Sequence, residues 1–105
     1  DGSEAADRQA FVAETFAPHV ERIEKHEDGG WNLRVEHTEA AVEGITAFAR
    51  REHGCCSFAH FEVHLTPGDA PNTLSVYGPD EAGAVFRAGL VEPLVEEFDA
   101  ELVET

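Results

Sequence analysis

Positive charge is what this chain has least of. Lys and Arg together number seven in 105 residues, and Lys25 is the only lysine. No basic stripe is available to follow a phosphate backbone, which disfavours nucleic-acid binding. Long apolar runs are also missing: none approaches the roughly 18–20 residues that span a bilayer. The opening Asp1-Gly2-Ser3-Glu4 is acidic with no apolar block behind it, so it does not read as a signal peptide. There is no phosphate-binding glycine loop, no Gly-x-Ser-x-Gly elbow and no His-Glu-x-x-His, so neither a nucleotide cofactor nor those hydrolytic chemistries are expected. The only two cysteines are neighbours, which bridge one another poorly, and in a reducing cytoplasm both are expected as thiols. These absences lead to the expectation of a soluble, cytoplasmic protein that binds neither membrane nor nucleic acid.

Acid, in contrast, is everywhere. Twenty-two Asp and Glu give a formal net charge of −15, spread over the whole chain rather than gathered in a tail. Self-repulsion on that scale is relieved by salt, whose Debye length is about 3 Å near 1 M. The composition resembles that of proteins from salt-accumulating halophiles. A length of 105 residues with 42% apolar content suits a single domain with one core.

Along the chain, Ser3 is the expected N-cap of a first helix. Ala6, Ala10, Ala13 and Phe16 recur at helical spacing before Pro18, so residues 1–18 read as an N-terminal helix or arm. Val20 to His26 is read as a strand, although Phe16, Val20 and Ile23 also fit a helical period. Glu27-Asp28-Gly29-Gly30 is a turn signal. Trp31, Leu33 and Val35 then alternate with Asn32, Arg34 and Glu36, marking a half-buried strand and closing a hairpin. Thr38 is the N-cap of a second helix, whose stripe is Ala41, Val42, Ile45, Phe48 and Ala49. Continued by three or four residues, the stripe meets Glu52 and then Cys55 and Cys56, with Gly54 as the expected left-handed stop.

Phe61, Val63 and Leu65 alternate with His60, Glu62 and His64 in a third strand. Pro67 to Asn72 is a loop, and Thr73 to Tyr77 a fourth strand. Gly78-Pro79-Asp80 introduces a last helix through Ala82, Val85, Phe86, Leu90, Leu94, Phe98 and Leu102, kinked at Pro93. The expected fold is α+β, a two-layer sandwich with an antiparallel sheet of about four strands in the order ββαββα over residues 19–105. A four-stranded sheet has open edges, so a homodimer that pairs or covers them is expected.

Glu52-x-x-Cys55-Cys56-x-Phe58-x-x-Phe61, followed by Tyr77-Gly78-Pro79 and a closing amphipathic helix, resembles a family of small uncharacterised prokaryotic proteins with a Glu-x-x-Cys-Cys-Pro-Phe-x-x-Phe signature. The likeness covers roughly residues 31 to 90. Ser57 stands where that family usually has proline, and Tyr77 where it has threonine. Some members resemble accessory proteins of heavy-metal resistance, so the likeness implies a metal or thiol role.

The residues allow three readings. Two thiols near imidazole are soft ligands for Zn²⁺, Cu⁺ or Hg²⁺, zinc being favoured. Cys55 and Cys56 would be the primary ligands, completed by Glu52, His53, His60 or His64, or by a second subunit. A lowered thiol pKa would instead make Cys55 or Cys56 a nucleophile, with Glu52 or His53 as base. Plain packing of two small apolar side chains in a dimerisation module is the third reading. His60 and His64 fall on the strand side facing solvent or a partner. His53 suits the helix C-terminus as an imidazolium. Glu52 on an apolar stripe needs a partner, for which Arg34 and Arg51 are candidates. His19, His26 and His37 carry no spacing signal.

Overall fold

A computed structural model of the chain describes residues 16–27, 29–55, 59–79 and 81–103, the side chain of Cys55 excepted. The expected N-terminal helix falls outside those residues, apart from a 3₁₀ turn at Ala17–His19. Strands β1 (Val20–Lys25) and β2 (Trp31–Val35) form the expected hairpin. Its turn needs glycine twice over. Gly29 has φ of 92°, and a Cβ on Gly30 would lie 1.9 Å from the Val76 carbonyl oxygen.

Helix α1 (Glu39–Cys55) starts as its sequence requires: the Ala41 N–H donates to Thr38 Oγ1 at 3.2 Å. It buries Ala41, Ile45, Phe48 and Ala49. Gly54 does not stop it. That residue has no positive φ, and the helix runs on to Cys55. Strands β3 (His60–His64) and β4 (Asn72–Tyr77) follow as expected.

The last third differs from expectation. Helix α2 (Ala82–Phe86) passes through a π turn at Arg87–Val91 into α3 (Glu92–Phe98). Pro93 has no N–H and crowds the carbonyl four residues back, so one widened turn absorbs it without a break. Asp99 takes a left-handed conformation (φ 58°) and ends the helix. Leu102, assigned by its spacing to that helix, lies instead in β5 (Glu101–Val103), which pairs parallel to β1. The sheet is therefore five-stranded and mixed, in the order β3-β4-β2-β1-β5, not four-stranded and antiparallel.

The architecture is α+β. Inward residues of the strands and buried residues of the helices form one apolar cluster. Ile23, Leu33, Val35, Leu74 and Val76 are its floor. A bulge between Val20 and Arg22 lets both Val20 and Ile23 point inward. That bulge produces the helix-like spacing of the β1 sequence. None of the helices among the described residues is long and apolar enough to cross a membrane.

Candidate functional site

The end of α1 carries a carboxylate into the core. Glu52 is 1% exposed, continuing the stripe of Ile45, Phe48 and Ala49 into the interior. A carboxylate there is costly unless it is satisfied. No buried side-chain oxygen or nitrogen among the described residues lacks a hydrogen-bond partner. His53 and Arg51, on either side of it in sequence, are exposed. Cys55 and Cys56 follow Glu52 by three and four positions in sequence, and α1 is described as far as Cys55. Their thiols lie outside the described residues.

Neither His60 nor His64 faces that interior. On β3 the inward positions are Phe61 and Val63, which pack against the core, with Phe61 edge-on to Phe86. The two histidines point from the opposite face of the sheet, where the exposure pattern leaves them open. Arg34, proposed as a partner for Glu52, is also on that outer face. Its Nε donates to Glu24 Oε1 and its Nη1 to Thr73 Oγ1, both at 2.8 Å. Among the described residues no three His, Cys, Asp or Glu side chains are grouped to hold a metal ion.

The outer face has its own order. Tyr77 is stacked between two imidazoles, with ring centroids 4.4 Å from His26 and 4.9 Å from His60. Its hydroxyl donates to Glu62 Oε2. The other oxygen of Glu62 lies 3.2 Å from His64 Nε2. The Tyr77 hydrogen bond, helped by the nearby His64 and His26, holds the Glu62 carboxyl below its ordinary pKa. Beside it, Ser75 Oγ donates to Asn32 Oδ1 at 2.6 Å. Thr73 and Ser75 are 3% and 2% exposed, although they point away from the apolar layer. Long side chains over them form the walls of an open groove of about 650 Å³ that reaches Lys25 and Thr66.

Cross-strand register makes this pattern. Asn32 and Glu62 both stand opposite Ser75, and Arg34 and His64 both stand opposite Thr73. The alternation of each strand was visible in the sequence, but the order β3-β4-β2 that lines up the three polar sets was not. Glu62, His26 and Tyr77 are therefore members that sequence reading missed, and Arg34 one that it gave a different partner. His19 and His37 have local roles: His19 Nδ1 lies 3.1 Å from Glu36 Oε2, and His37 Nδ1 lies 2.7 Å from the Ala70 carbonyl oxygen.

Comparison of the chain with known protein families, curated proteins and solved structures finds no match.

Proposed function

We propose that this is a small soft-metal-binding protein, for zinc, copper(I) or mercury(II), whose primary ligands are Cys55 and Cys56, acting in metal sensing, buffering or resistance. One observation carries the reading: Glu52, three and four positions before the two cysteines in sequence, is buried at the end of the apolar stripe of α1. A carboxylate turned inward, with two thiols close behind it in sequence, offers hard and soft donors together, a combination that suits borderline Zn²⁺. Glu52 serves as the further ligand or as the group that orients one. His53, at the exposed end of the same helix, is the other nearby donor. His60 and His64 are engaged with Tyr77 and Glu62 on the far side of the sheet, so they are not part of this ligand set within one chain.

Elemental analysis of protein purified without chelator tests the reading. Stoichiometric metal that is lost in the Cys55→Ala, Cys56→Ala double variant and weakened in Glu52→Gln supports it. A chain that stays metal-free after incubation with Zn²⁺ sinks it. In that case a single fast-reacting, low-pKa thiol would identify a thiol-dependent enzyme or redox protein, with Glu52 as base.

The acidic surface fits a salt-accumulating cytoplasm. At a net charge of −15 the melting temperature should rise by many degrees from low salt to molar KCl, and a flat response would remove this assignment.

A further inference from the structure

The two edges of the sheet are protected differently. β5 is three residues long and begins with an exposed glutamate, and short charged edges resist pairing. β3 has five residues, no proline, no lysine and no bulge against β4. Among the described residues nothing pairs with its outer side. Leu65, at 65% the most exposed large apolar residue among those described, directly follows β3.

We propose that β3 is a homodimer interface, in which the strand pairs antiparallel with β3 of a second copy about a twofold axis through Val63. Such an axis brings Val63 opposite its own copy, and Phe61 opposite the partner's Leu65, on the helix-covered face. On the outer face it sets Glu62 opposite the partner's His64. Opposed apolar and opposite-charge pairs of this kind stabilise antiparallel strands, and like charges do the reverse. Neighbouring registers are poorer. An axis through Glu62 would oppose two carboxylates. An axis through Phe61 would carry Leu65 past the start of the other copy's β3. An axis through His64 would face Leu65 with the partner's Val63 but oppose two imidazoles and leave Phe61 facing Pro67. The Val63 register alone both gives Leu65 a large apolar partner and sets Glu62 opposite His64, and the interface it makes is isologous and closed. The two sheets then run on as one, with the helices of both copies on the same side. Because each copy carries a charge of −15, association strengthens with salt.

Sedimentation equilibrium of the full chain in molar KCl should show a dimer that weakens at low salt. Leu65→Glu, at an exposed position, should raise the dimer dissociation constant about tenfold or more while leaving the circular dichroism spectrum unchanged. Register is read by oxidative cross-linking in the Cys55→Ala, Cys56→Ala background. Opposed residues in an antiparallel pair have Cα atoms about 4.5–5.5 Å apart, within the roughly 4.4–6.8 Å span of a disulfide. Val63→Cys should therefore link to itself, and Phe61→Cys and His60→Cys should not. A monomer at all salt concentrations overturns the proposal. So does a dimer indifferent to Leu65→Glu, or one that cross-links through position 61 in preference to 63.

Discussion

The two faces of the sheet bury their residues to similar depth by opposite means. On the inner face Leu33, Val35, Leu74 and Val76 lie under helices and are excluded from water by hydrocarbon. On the outer face Thr73 and Ser75, one residue away along the same strand, lie under charged and amide side chains and are tied by hydrogen bonds. Depth of burial alone therefore says little about energy. Apolar burial gains about 25 cal/mol for each Å² removed from water. A hydrogen bond replaces one already made to water and nets only about 0.5–1.5 kcal/mol.

Substitutions should divide along that line. Leu33→Ala, on the inner face, should cost about 2–5 kcal/mol in urea unfolding, the range for emptying a packed core site. A loss below about 1 kcal/mol would mean the helices close over the gap, and the contrast between faces would fail. Ser75→Ala should cost about 1 kcal/mol by the same measurement, because Asn32 Oδ1 loses a donor. Arg34→Met should cost less than about 1 kcal/mol, since a partly exposed ion pair is screened, and the difference from the parent should shrink further in molar KCl.

Tyr77→Phe should have the smallest effect on stability and a clear effect on titration. With the phenol gone, carboxyl-detected NMR should find the Glu62 pKa moved up toward its ordinary value. The folded pKa is the lower one, so this bond's stabilisation is present above the unfolded glutamate pKa of about 4.3 and fades as pH falls through the folded value. The gap between parent and variant should accordingly close in acid. A Glu62 titration identical in the two proteins would remove Tyr77 as the cause.

Local pattern made part of the fold legible. The alternation of Trp31, Leu33 and Val35 and the cap at Thr38 depend on neighbours in sequence, and both are where the pattern places them. What the pattern missed depends on contacts distant in the chain. Glu101–Val103 is too short to show a period and is a strand only because β1 offers it an edge. Gly54 could have ended α1, but the chain continues helical past it. Glu52 was legible as an inward carboxylate because helical spacing is local. The Tyr77–Glu62–His64 chain was not, because β3 and β4 must pair in register before its members meet.

One further property follows from the indole of Trp31, the chain's single tryptophan. Its ring is 2% exposed and its Nε1 donates to the Gly83 carbonyl oxygen at 2.9 Å, joining the first hairpin to the start of α2. A Cβ on Gly83 would meet the Gly29 oxygen at 2.0 Å, so this seam is closed from both sides. Fluorescence of the native chain is thus a site-specific reporter. A red-shifted emission that precedes the loss of far-ultraviolet ellipticity would mean the C-terminal helices lift away from the hairpin before the strands separate.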